Sequence, residues 1–169
     1  MLIKKGIAVM LNKKNEKLLT SCILEHKENV YRLAYSYVKN KEDALDIVQD
    51  SIYKAMTSLH LLKNPDMIKS WFYRIVVNTS LDFLRKHKRV MLVDEETFEL
   101  YQPGKEDVYS DIDLASSLDD LPDKYRSVII LRYFEDLRIH EIAEVLDENI
   151  NTVKSLLYRG LQLLRVKMQ

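Results

Sequence analysis

The chain has 169 residues, 47% apolar and 31% charged, with three Gly, three Pro and one Cys. A single cysteine excludes an internal disulfide and cannot hold a metal alone, and no apolar run is long enough to span a bilayer. The net charge of zero is a cancellation: residues 1–90 carry 17 basic and 9 acidic side chains, residues 91–121 carry 1 and 10, and residues 122–169 carry 8 and 7.

That asymmetry predicts a basic first half suited to a polyanionic partner, an acidic connector and a balanced last piece. So few Gly and Pro leave mostly long helices. The expected fold class is all-α, in two small helical domains: a tail over 1–17, a first domain over 18–89, a linker over 90–113 and a second domain over 114–169.

The first dozen or so residues read as a loose tail. The apolar stretch Gly6–Leu11 is too short for a secretory core and has no cleavage site; Met10 offers a second start. From Leu18 to Val38, Leu19, Ile23, Val30, Leu33, Ala34 and Tyr37 recur at helical spacing. Cys22 falls inside this pattern and reads as a buried structural thiol.

Asn40 caps a second helix, Lys41 to about Leu62, with Asp43 at its N3 position. Ala44, Ile47, Val48, Ile52, Ala55 and Leu59 share the core side. Glu42, Asp46, Gln49, Asp50 and Tyr53 gather opposite, an acidic and amide-bearing face on a basic half. A solvated face gives the same pattern; the sharper reading is a docking surface for a basic protein.

Asn64-Pro65 opens a third helix, with Asn as cap and Pro at N1, running from Asp66 to about Lys88. Ile68, Trp71, Phe72, Ile75, Val76 and Leu84 supply core. Tyr73, Arg74, Asn78, Asp82 and Arg85 are interleaved among them, and the helix ends in Arg85-Lys86-His87-Lys88-Arg89. The macrodipole favours a cation at a helix C-terminus by about 0.3–1 kcal/mol, enough to explain one or two of these but not four. Basic residues beside aromatic rings also form platforms for single-stranded nucleic acid, where stacking contributes about 1–3 kcal/mol per base.

Val90 to about Asp113, with Pro103-Gly104 and no sustained period, reads as an acidic extended linker. A short helix follows over Leu114–Leu121, then another over Asp123–Phe134 with Tyr125, Val128, Ile129, Leu131 and Tyr133 as packing candidates.

Ile139 to Tyr158 reads as two helices joined by a tight turn. Ile139, Ile142, Ala143 and Leu146 make one apolar stripe. Asp147-Glu148-Asn149 breaks it, and Asn149 is a good N-cap. Beyond the turn Ile150, Val153, Leu157, Leu161 and Leu164 face inward, leaving Asn151, Thr152, Lys154, Ser155, Tyr158 and Arg159 outside. This is the layout of a helix-turn-helix, whose second helix enters the DNA major groove; a helical hairpin with a solvated polar face shares the pattern. His26, His60, His87 and His140 have no ligand spacing, and no phosphate-cradling loop or nucleophile elbow occurs. No metal, cofactor or catalytic residue is therefore expected.

Taken together these motifs resemble the extracytoplasmic-function (ECF) group of bacterial sigma factors, from about Leu18 onward. Glu42-Asp43-Ala44, Val48-Gln49-Asp50, Trp71-Phe72-Tyr73-Arg74-Ile75 and the set Asn78, Asp82 and Arg85 match the skeleton of region two. LPDKYRSVIILRYFEDLRIHEIAEVL and TVKS resemble region four. The resemblance implies an initiation factor rather than an enzyme. Asp43, Asp46, Gln49, Asp50 and Tyr53 would meet the clamp helices of the largest subunit of core RNA polymerase. Lys69, Trp71, Tyr73, Arg74, Asn78, Asp82, Arg85, Lys86 and Lys88 would melt and read the −10 element of promoter DNA. Asn151, Thr152, Lys154, Ser155, Tyr158 and Arg159 would read the −35 element. It further implies a cytoplasmic protein held by an anti-sigma factor, often membrane-anchored.

Three departures stand out. Asp147 and Glu148 occupy the turn where the family commonly has Gly and a hydrophobic residue. Leu156 replaces the usual Arg after Lys-Ser, and the residues before Lys13 have no family counterpart. An operator-binding helix-turn-helix regulator, or an all-helical adaptor without a DNA role, remain the alternative readings.

Overall fold

Two asparagines set the sharpest helix starts. Asn40 Oδ1 accepts the Asp43 amide at 3.0 Å and Asn149 Oδ1 accepts the Thr152 amide at 2.8 Å, each satisfying an orphan donor of a first turn. Around them a computed structural model describes residues 1–93 and 117–169. The chain runs α1 (Leu2–Val38), α2 (Lys41–Ser58), 3-10 turns at Leu59–Leu61 and Pro65–Met67, then α3 (Ile68–Val93). After a helical turn at 117–119 come α4 (Asp123–Ile129), a π-helical turn (Ile130–Phe134), α5 (Ile139–Leu146) and α6 (Ile150–Lys167). The described residues contain no strand. The acidic linker from 94 to 113, and the start of the short helix at Leu114, lie outside the described residues.

α1, α2 and α3 pack as a bundle. Leu19, Val30, Leu33, Ala34 and Tyr37 of α1, Ala44, Ile47 and Ala55 of α2, and Phe72, Val76 and Val77 of α3 are buried, close to the stripes that the periodicity predicts. Leu59 is buried as well, but in the 3-10 turn that ends α2 early. Cys22 is buried, and desolvation raises its thiol pKa.

The expected N-terminal tail is instead the first turns of α1. Residues 2–17 contain no proline, and Asn12 donates to Glu16 Oε1 at 3.1 Å across one turn. Ala8, Leu11, Asn12 and Asn15 face Leu59, His60 and Leu62 beyond α2. α3 likewise continues through Val90 to Val93, past the expected start of the linker.

The second bundle packs α4, α5 and α6 around Val128, Ile129, Leu131, Leu137, Ile142, Val145, Val153 and Leu164. Gly160 allows the closest approach: a Cβ there would stand 3.1 Å from Ile129 Cδ1 and 3.3 Å from Tyr125 Cβ. Two packing expectations fail. Tyr133 is 59% exposed, because the Glu135 amide bonds to the Ile130 carbonyl, five residues back, at 3.1 Å. That wider turn shifts the helical register, so Tyr133 faces out and Glu135 faces in. Ile150 is 45% exposed, since it starts α6 at the edge of the Val153 stripe.

The two bundles share a seam in which α3 packs on α5.

Candidate nucleic-acid and protein interfaces

The turn between α5 and α6 holds its shape without glycine. Asp147 is left-handed (φ 55, ψ 45), a conformation that Asp tolerates better than most residues. The Glu148 amide closes the helix end on the Ala143 carbonyl at 2.9 Å. At the start of α5, the Arg138 amide donates to Glu141 Oε2 at 2.7 Å, half of a capping box. The departure from the family at Asp147-Glu148 therefore leaves the tight turn intact.

α6 then presents the expected face. Asn151, Lys154, Ser155, Tyr158 and Arg159 are exposed and Thr152 is half-buried, its amide held by the Asn149 cap. These side chains, except Lys154 and Tyr158, line a cleft of about 1030 Å³. Lys124 of α4, His140 of α5 and Arg74 of α3 line it too. Lys124 and His140 fall outside the residues that the motif pattern picks out; their only sequence signal is a position on the exposed side of α4 and α5. Cations around a groove beside a polar helix suit phosphate contacts flanking base contacts. Leu156, where the family carries Arg, is half-buried against the core and offers the groove no donor.

On the other bundle, Asp46, Gln49, Asp50 and Tyr53 lie exposed along α2, and Asp43 is half-buried. Asp50 pairs with Lys54 at 3.1 Å. A second hollow, of about 360 Å³, runs between this acidic side and the cationic end of α3, lined by Asp46, Asp50, Asp82, Arg85, Lys86 and Arg89 among others. Asn78, Asp82, Arg85, Lys86 and Lys88 are exposed along α3, with Arg85 bound to Asp82 at 3.0 Å. Trp71 is half-buried against the core.

Lys69, Tyr73 and Arg74 are placed differently from the rest of their set. Tyr73 is fully buried, not outward, and its hydroxyl donates to Glu135 Oε2 at 2.6 Å. Lys69 Nζ donates to the Glu135 carbonyl at 3.0 Å, and Arg74 pairs with Asp147 at 3.6 Å. The physical reason is the seam, which lays the first turns of α3 against the π turn and α5. Two further links cross it, a hydroxyl contact between Tyr37 and Ser127 and an ion pair between Lys39 and Asp119. Burial pushes the Tyr73 hydroxyl and the Glu135 carboxyl towards their neutral forms, with the Tyr73 hydrogen bond opposing the shift at Glu135. Sequence periodicity could not have found Glu135, because only the π turn brings it inward.

A family model for Sigma-70 region 2 matches residues 22–90, and one for Sigma-70, region 4 matches residues 112–164. The chain is 56% identical over 151 residues to the RNA polymerase sigma factor SigV of Bacillus subtilis (strain 168), covering 89% of this chain and 91% of that protein. The chain belongs to the ECF sigma factors. It is also 29% identical to the ECF RNA polymerase sigma factor SigW of the same organism, over 100% of this chain and 98% of the relative. Among solved structures, the sigma factor fold is shared with RpoE in complex with the anti-sigma factor NepR from Bartonella quintana. There the TM-score is 0.73 at 22% identity, over 86% of this chain and 93% of that one. CnrH in complex with the cytosolic domain of CnrY gives a TM-score of 0.66 at 23% identity, over 94% and 92%. The sigma factor's first bundle is thus region two and its second is region four. Among its described residues no helix is long and apolar enough to cross a membrane, and no group of three or more His, Cys, Asp or Glu could hold a metal ion.

Proposed function

We propose that this ECF sigma factor divides promoter recognition among three surfaces. Asp46, Gln49, Asp50 and Tyr53, with Asp43 at their edge, form the face that meets the polymerase clamp helices. Asn151, Thr152, Lys154, Ser155, Tyr158 and Arg159 read the −35 element in duplex DNA, with Lys124 and His140 on flanking phosphates. Trp71, Asn78, Asp82, Arg85, Lys86 and Lys88, joined by Lys69, Tyr73 and Arg74 when these are free, capture the −10 strand. RNA synthesis is the polymerase's chemistry. The observation that carries this reading is the physical separation of an exposed polar recognition helix from an exposed acidic face on the other bundle. An operator-binding regulator needs the first and has no use for the second.

The first of the solved structures named above is a sigma factor in complex with an anti-sigma factor. By that likeness, an anti-sigma factor holds this chain in the cytoplasm, at the inner face of the membrane where that factor is membrane-anchored.

Run-off transcription with purified core polymerase on genomic fragments, with and without the protein, tests the whole reading. Discrete new start sites are expected. Duplex binding without any new transcript would mean an operator-binding regulator instead.

A further inference from the structure

The opening turns of α1 break three local rules for a helix in water. Lys4 and Lys5 stand at its start, where the first turn holds no acidic residue and no side-chain cap. That end of the macrodipole favours anions and opposes cations. Gly6 follows, a poor helix residue; a Cβ there would meet nothing within 4 Å, so no close approach calls for it. Ile3, Ile7 and Met10, spaced i, i+4, i+7 on one side of the helix, then stand 79%, 53% and 75% exposed. The bundle already takes another side, through Ala8, Leu11, Asn12 and Asn15 against the turn after α2, and the apolar trio lies outside that contact. Lys4 and Lys5 flank the trio at one end and Lys13, Lys14 and Lys17 at the other, while residues 1–15 contain no acid at all.

We propose that this segment is a membrane-binding arm that seats the chain on an anionic lipid surface. Negative headgroups supply, at the helix start, the charge that the sequence leaves out. Ile3, Ile7 and Met10 enter the boundary between headgroups and acyl chains, as the apolar side of an interfacial helix does. The lysines at both ends reach lipid phosphates on their long stems. The pairing of an apolar patch with cations selects lipid over other polyanions. A nucleic acid would engage the lysines and leave the patch in water. A protein helix would need an apolar stripe along the whole arm, and Lys14, one turn past Met10 on the same side, ends it. The arm also lies clear of the rest of the machinery. Ile7 and Tyr37, on the α1 side of the seam, stand roughly 45 Å apart along the helix, at 1.5 Å per residue. Membrane association is thereby a property of this chain itself, separate from any protein that holds it.

Co-sedimentation of the full chain with lipid vesicles, no other protein being present, tests the arm. One set of vesicles holds phosphatidylglycerol and phosphatidylcholine in equal parts, the other phosphatidylcholine alone. Binding to the anionic set is expected, with little to the neutral set and progressive release by added salt. Ile7→Glu combined with Met10→Glu should cut the partition onto anionic vesicles about tenfold, and Lys4→Gln combined with Lys5→Gln about threefold. Leu24→Glu, at a site 66% exposed farther along α1, adds the same kind of charge outside the arm and should stay within about twofold of the parent. All five side chains are exposed, so each variant should keep the parent's circular dichroism and its activity in run-off transcription. Absence of binding to anionic vesicles would overturn the proposal. So would binding that the Ile7→Glu, Met10→Glu pair leaves intact, which would assign the lysines alone to a polyanion. A dimer in sedimentation equilibrium that the same pair dissociates would overturn it too, by giving the face to a second copy.

Discussion

Asp147 is a single residue on which both the recognition turn and a contact with Arg74 depend. Its left-handed backbone costs an ordinary L-residue about 1–2 kcal/mol, a cost that Gly avoids. Asp147→Ala should therefore lower stability by about 1 kcal/mol, whereas Asp147→Gly should stay near neutral; urea unfolding of the two variants checks this, and equal losses would put the cost in the Arg74 pair. Asp50 is the corresponding test on the other bundle. It is exposed and its pair with Lys54 is a surface one, worth roughly 0–1 kcal/mol. Asp50→Arg should thus leave the melting temperature almost unmoved while weakening core polymerase binding at least tenfold. Unchanged affinity in a pull-down titration would remove this face from the interface. At this scale the sequence was most readable where a side chain acts on its own backbone, as the caps at Asn40, Asn64 and Asn149 do. It was least readable at Tyr73, whose aromatic ring and hydroxyl suit a base platform and a buried hydrogen bond equally well.

Helices were legible in proportion to their periodicity. α2 and α6 begin where the caps put them, because a side-chain acceptor and an apolar stripe agree there. The first turns of α1 are hidden from the sequence pattern, since residues 3–14 are exposed and a helix without a buried stripe leaves little periodic signal. The π turn was invisible for a different reason: one added residue per turn carries no composition mark, yet it turns Tyr133 outward and Glu135 inward. Packing between elements shows most plainly at Gly160, where α6 crosses α4. Gly160→Val would drive side-chain carbons into Ile129 and Tyr125, and overpacking of this kind costs about 1–3 kcal/mol. A lower midpoint for Gly160→Val in urea, with an unchanged slope, is the expected result. On the exposed side of the same helix, Lys154→Ala should reduce duplex affinity and make the salt slope about one unit shallower, as loss of one phosphate contact does. An unaltered slope would move that contact to Arg159.

For the whole molecule, the two family halves were plain in the sequence and their mutual arrangement was not. Region-two and region-four motifs each describe a local pattern, whereas the seam joins residues 90, 80 and 62 positions apart at Tyr37–Ser127, Lys39–Asp119 and Tyr73–Glu135. No spacing rule reaches across such separations. Because α3 and α5 pack directly, the halves should unfold as one cooperative unit. Differential scanning calorimetry should give a single transition, and Glu135→Ala should broaden or split it; two transitions in the wild-type chain would mean that the seam does not couple them.

Cys22 makes a clock for the first bundle. It is the chain's one thiol, buried beside the region that holds His26, Lys69 and Tyr73, and its pKa is raised by desolvation. Reagents act on the thiolate, so modification should proceed only in the moments when α1 and α3 come apart locally. The half-time for labelling by an excess of a maleimide then counts those local separations, without DNA, polymerase or any introduced probe.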